Sequence, residues 1–247
     1  MPGSSPLAFF PYTSDTKAVA GHTLASLILE ALADLNYSCV STRAEYKGQE
    51  AEVGLYCRSR VLKEDIEEVI NYVRMKTRLD LATTLLDEPR DSMMSYREHL
   101  RQAVSVFTRL LRSQLKPLLR ESVEYALAIL WSGESILVKG SKRSVRTVGN
   151  VYSAIAHTHP GGLCLPSPHD IQAIADRLAD GACCEAILAN SCMLIAYRVD
   201  TLTLEDYDTL MELARKLGKI KEFDRYVETL SAYTSMLKTV RIRLESL

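Results

Sequence analysis

The sequence predicts a mixed α/β (α+β) fold, and three observations carry that prediction. Apolar residues recur at helical spacing towards both ends of the chain. Short apolar runs bounded by turn residues fill its middle, and the two patterns interleave rather than segregate. The expected architecture is a mixed sheet with flanking helices. A small helix–strand–strand–helix unit precedes it and C-terminal helices follow.

Residues 1–14, rich in Pro and Ser, read as a loose lead-in. Over residues 15–35, Leu24, Leu27, Ile28, Leu32 and Leu35 fall at three- and four-residue spacing, which predicts a helix. Residues 37–44 and 51–58 read as two strands around a turn containing Lys47 and Gly48. Ile66, Val69, Ile70 and Val73 set a second helical face, and the N-terminal region is taken as 1–86. The polar break Asp87-Glu88-Pro89-Arg90-Asp91 leads into a connecting helix within 91–117. Its stripe is Leu100, Val104, Phe107, Leu110, Leu111 and Leu115, and Pro117 kinks or ends it.

Residues 118–200 change character. An apolar run at 125–131 is followed by a turn at 132–135 and a returning strand at 136–139. A strand at 151–156 delivers the chain into His157. Ile171, Ile174 and Leu178 then mark a helix, and strands at 184–188 and 193–199 flank Asn190-Ser191. Residues 201–247 read as a helical extension through Leu210, Leu213, Leu217, Tyr226, Leu230 and Leu237, and no internal repeat is present.

Thirty basic residues stand against thirty-one acidic ones in 247, so charge does not single out nucleic acid or an anionic membrane as a partner. Arg101, Arg109 and Arg112 read as a solvated helix face. No apolar run reaches the roughly 18 residues that span a bilayer, and residues 1–6 lack the pattern of a secretory signal. A soluble, cytoplasmic protein is expected. The six cysteines show no C-x-x-C pair or framework spacing and read as structural thiols. Cys164 stands apart because it lies among candidate ligands, as a packed loop residue or an incidental metal contact.

Those ligands lie in the stretch His157-Thr158-His159-Pro160-Gly161-Gly162-Leu163-Cys164-Leu165-Pro166-Ser167-Pro168-His169-Asp170. In an extended segment His157 and His159 point to one side. The Pro/Gly loop returns the chain, with Ser167 near a helix cap and Asp170 in the first turn. Two nitrogens and one oxygen would leave a tetrahedral metal position open, the catalytic form of a zinc site. Each element alone is common in proteins without a metal; together, at a strand end just before a helix, they favour one.

The stretch resembles the JAMM (MPN-plus) metallopeptidase motif: His-x-His-Pro, a short Pro/Gly loop, then Ser-x-x-Asp, with ten residues between the second His and the Asp, here residues 160–169. The Pro166-Ser167 pair is similar to RadC-type members. The resemblance covers about residues 118–199. It implies Zn2+ held by His157, His159 and Asp170, an oxyanion-stabilising Ser167, and an upstream glutamate acting as general base. Glu124, leading the run at 125–131, best fits that glutamate; Glu121 and Glu134 are the alternatives. Between the second strand and the His-x-His strand only residues 140–150 are available, shorter than is usual in the family. His169 reads as a helix-start residue, and His22 and His99 as helical residues that need no metal.

The resemblance implies an isopeptidase acting on a protein substrate, a ubiquitin-like or sulfur-carrier conjugate. A catalytically silent interaction module and a RadC-like protein linked to DNA metabolism are the other readings, and homodimerisation through the flanking helices is open.

Overall fold

In the computed structural model the described residues are 8–10, 13–47, 50–142, 145 and 152–247. They run β1 (Ala8–Phe10), α1 (Ser14–Asp34), β2 (Cys39–Ser41), β3 (Glu45–Lys47), β4 (Glu50–Cys57), α2 (Lys63–Thr77), β5 (Asp80–Leu85) and α3 (Tyr96–Gln114), then a 3-10 turn at Lys116–Arg120. There follow β6 (Tyr125–Leu130), β7 (Ser135–Lys139), β8 (Tyr152–Thr158), α4 (Pro168–Ala179), β9 (Cys184–Ala189), β10 (Cys192–Arg198), α5 (Leu204–Leu217), α6 (Phe223–Thr234) and β11 (Val240–Ser246). The mixed architecture agrees with the sequence reading.

Seven strands form the main sheet in the order β1-β7-β6-β8-β9-β10-β11. Every neighbouring pair is antiparallel except β8 and β9, which α4 joins as a crossover. Alternation divides the central strands between two faces. Leu127, Ile129, Ala154, Ala156, Cys184, Ala186 and Leu188 pack against α1 and α3. The residues between them, Ala126, Ala128, Ile155, His157, Glu185 and Ile187, turn to the other face, beside α4. In the second sheet β4 is central. β2 and β3 lie end to end along one edge, and β5 runs parallel along the other.

α1 belongs to both layers. Ala18, Val19 and Ala20 pack in the core of the main sheet, while Leu24, Leu27, Ile28 and Leu32 pack with Val53, Leu55 and Val69 beside the smaller one. Fifteen of its 21 residues are buried, so its apolar surface wraps the whole helix rather than one stripe. A Cβ on Gly21 would lie 2.6 Å from the Ala44 carbonyl oxygen, so only glycine permits this approach to the β2–β3 connection.

Several local expectations are corrected. The lead-in supplies β1, which pairs with β7. The small unit holds three antiparallel strands and the parallel β5, not two strands. Of the expected turn, Gly48 lies outside the described residues, as do most of residues 140–150. The C-terminal segment is not helical throughout: Val240, Ile242 and Leu244 alternate with Arg241, Arg243 and Glu245, a period of two, and β11 closes one edge of the main sheet. Asp206 at the start of α5 fixes this strand, its carboxylate accepting the backbone N–H groups of Lys238, Thr239 and Val240.

The cysteine reading is corrected as well. Cys39 bonds Cys57, its direct partner across β2 and β4, and Cys164 bonds Cys192. Only Cys183 and Cys184 remain thiols, both buried. Cys164 therefore ties the histidine loop to β10 and is not a metal contact. Strand register, not spacing along the chain, made the first pair. No described helix is long and apolar enough to cross a membrane.

Candidate metal centre

The site forms where β8 ends. The ends of strands are where backbone pairing stops and side chains from successive connections can converge. β8 runs through His157, and the His159 backbone N–H still donates to the Leu188 carbonyl at 2.7 Å, so both histidines hold extended geometry and face one side. The loop then returns the chain to Ser167, the N-cap of α4, with Pro168 at the first helical position. A reciprocal capping box sets the next residue: the Ser167 N–H donates to Asp170 Oδ2 at 2.7 Å, and the Asp170 N–H donates to Ser167 Oγ at 3.2 Å.

The structure thus brings His157, His159 and Asp170 together. The two Nε2 atoms are 3.1 Å apart. Asp170 Oδ1 lies 3.3 Å from His157 Nε2, and Oδ2 lies 3.6 Å from His159 Nε2. A tetrahedral ion with bonds of 2.0–2.2 Å would need ligand atoms about 3.4 Å apart. The trio could hold a metal ion.

Its electrostatics suit a cation. Burial opposes the charge on Asp170, but hydrogen bonds from His157 and Ser167 and the His157 charge hold the carboxyl far below the usual range. Burial disfavours the charged form of His157, yet Asp170, Glu185 and Glu124 together raise it. His159 moves down through burial and the charge of His157.

Glu124 reaches the same cleft. Ala126 pairs with His157 across β6 and β8, so continuing that register sets Glu124 opposite His159 on the same face. Its backbone extends the β6–β7 hairpin through Ser141 and Gly140. Burial, with the charge of Asp170, pushes its carboxyl up, against the His157 charge and a hydrogen bond from the Val145 backbone. The alternatives lie elsewhere. Glu121 is exposed and lines a neighbouring groove, and Glu134 turns back on Ser132 at the far end of the hairpin.

The cleft measures about 960 Å³ and is lined by these residues together with Leu163, Phe223 and Tyr226. The Tyr226 hydroxyl donates to the Pro166 carbonyl at 2.5 Å, so α6 braces the loop. His169 is exposed beside the ligands and is not one of the converging trio. His22 and His99 lie apart from the cleft; their Nδ1 atoms are 2.9 Å from each other between α1 and α3.

Sequence reasoning missed Glu185. It is 1% exposed within β9, forms an ion pair with Arg177 of α4, and lines the cleft beside His157. A lone glutamate inside the apolar run Cys184-Glu185-Ala186-Ile187-Leu188 was the available signal, since a buried carboxylate needs a reason. No family model, curated protein or solved structure matches the chain.

Proposed function

We propose that the chain is a zinc-dependent metallopeptidase that hydrolyses an amide or isopeptide bond, releasing a ubiquitin-like or sulfur-carrier protein from a conjugate in the cytoplasm. The convergence of His157, His159 and Asp170, with Glu124 on the same face of the sheet, is the observation that supports it. The JAMM-like order of those residues supplies the reaction class. Two nitrogens and one oxygen leave a coordination position free, and zinc bound there would supply Lewis acidity to a carbonyl and to water.

The protein's own groups do the rest. Glu124, raised by burial, is suited to take a proton from the attacking water and return it to the leaving amine. Ser167 Oγ accepts the Asp170 N–H, and its O–H, which contacts the Asp170 carboxylate, stands where it can turn towards a developing oxyanion. Exposed Phe223 and Leu163 at the cleft offer apolar contact to a protein substrate. Elemental analysis after zinc loading, paired with cleavage of a ubiquitin-like fusion, tests the reading. About one zinc per chain is expected, lost in His157→Ala and in His159→Ala. Protein that takes up no zinc, or variants that retain it, would refute it, and a zinc-loaded protein that cuts no conjugate would be an interaction module instead.

A further inference from the structure

Glu185 is held in a way that an ion pair alone does not explain. Its carboxylate is buried in the middle of the sheet, and while Oε1 meets the Arg177 guanidinium, Oε2 has no hydrogen-bond partner. Oε1 also lies 3.9 Å from His157 Nδ1. The opposite nitrogen of that ring, Nε2, is the one committed to His159 and Asp170. A neutral imidazole carries one N–H, so an Nε2 lone pair offered to a metal puts the proton on Nδ1, where it needs an acceptor.

We propose that Glu185 is the positioning residue of the metal centre: its carboxylate takes the Nδ1–H of His157 and fixes that ring with Nε2 turned to the ion, while Arg177 holds the carboxylate in place. The inference rests on the metal reading of the site. The fold supports it from two directions. Ile155 pairs with Glu185 across the parallel strands β8 and β9, which puts Glu185 on the face of His157. Asp170 and Arg177 stand seven residues, two helical turns, apart on α4, so one helix carries both a ligand and the clamp on that ligand's neighbour. Carboxylates that orient metal-bound histidines fix the tautomer and raise the basicity of the ring, and so contribute to metal affinity.

The test is zinc affinity by chelator competition, read beside the unfolding of the zinc-free proteins. Glu185→Gln removes the charge and keeps the volume. The double variant Arg177→Met/Glu185→Met removes the ion pair altogether and guards against misfolding caused by an unpaired arginine. Both folded variants should bind zinc roughly 10- to 100-fold more weakly than the parent. In the zinc-loaded parent, long-range proton–nitrogen correlation should show His157 protonated at Nδ1. A cooperatively folded variant with parental zinc affinity would overturn the role of Glu185 and leave the metal site standing, as would a loaded His157 protonated elsewhere. A parent protein that binds no zinc would overturn both.

Discussion

Ser167 and Asp170 hold each other through two reciprocal hydrogen bonds, and only one of them involves the serine side chain. The 2.7 Å bond that orients the Asp170 carboxylate comes from the Ser167 backbone. The hydroxyl accepts the Asp170 N–H at 3.2 Å and adds a side-chain contact to the same carboxylate. The short backbone bond therefore holds the ligand even where the hydroxyl is absent.

Ser167→Ala should therefore keep zinc. Losing the cap should cost about 1 kcal/mol of stability, and losing an oxyanion donor should lower kcat roughly 10²–10³-fold with a smaller change in KM. Denaturant unfolding, zinc content and steady-state kinetics check the three parts. Loss of zinc from a folded Ser167→Ala protein would show that the backbone bond does not suffice.

Glu124→Gln should also retain zinc and lose turnover by about 10²–10⁴-fold. Glu121→Gln and Glu134→Gln should remain active, because neither side chain lines the cleft. Parallel assays of the three variants on one conjugate decide between them. A dead Glu121→Gln beside an active Glu124→Gln would move the general base.

Acid should destabilise the fold through His22 and His99. The His99 Nε2–H reaches the Ser41 carbonyl at 3.1 Å, so its Nδ1 accepts from His22; a proton added to His99 Nδ1 would set N–H against N–H, and one added to His22 would place a charge in the buried interior. Burial first, then the neighbouring charges of His99 and Arg43, lower His22 to about 3; burial lowers His99 to about 4. Both folded values lie below the unfolded one of about 6.5, so the unfolded chain binds more protons between them. The contribution is intact above pH 6.5 and is lost as pH falls towards 4, by up to about 2 kcal/mol per histidine at pH 5. Urea unfolding at pH 7.5 and pH 5 should show the loss, and His22→Gln/His99→Gln should flatten it.

Cys164→Ser/Cys192→Ser should weaken the loop that carries the histidines. The bridge spans 28 residues, which corresponds to about 3.6 kcal/mol of chain-entropy stabilisation. Disulfides are rare in the cytoplasm, so the two bridges speak against the proposed cytoplasmic location, and thiol titration of the native protein tests it: two free thiols would argue for an oxidising compartment, six for the cytoplasm. Limited proteolysis should cut residues 160–166 faster in the variant.

What the sequence disclosed follows from distance along the chain. The two histidines, the loop and Asp170 lie within fourteen residues, and their geometry depends on one strand end and one helix cap. Glu124 could be placed because it leads a strand beside β8. Glu185 was hidden because its role depends on the parallel register of β8 and β9, which no local pattern encodes. β5 begins three residues after α2 and was absorbed into the end of the helical unit, and β11 was masked by the helices before it despite its alternation of apolar and charged residues.

The double burial of α1 has a consequence for how the chain comes into being. This helix is made early, yet the strands β6, β8 and β9 that cover its first half are synthesised much later. Until they arrive, a helix apolar on nearly every side stands exposed in the nascent chain, a hazard for self-association. Its last turns are held to β10 by an Arg198–Glu30 ion pair, a contact bridging most of the polypeptide. Such long-range closure slows folding and makes the molecule indivisible: a fragment ending at the polar break would carry α1 without half its cover, and one starting after it would offer the metal centre's sheet with an uncovered face.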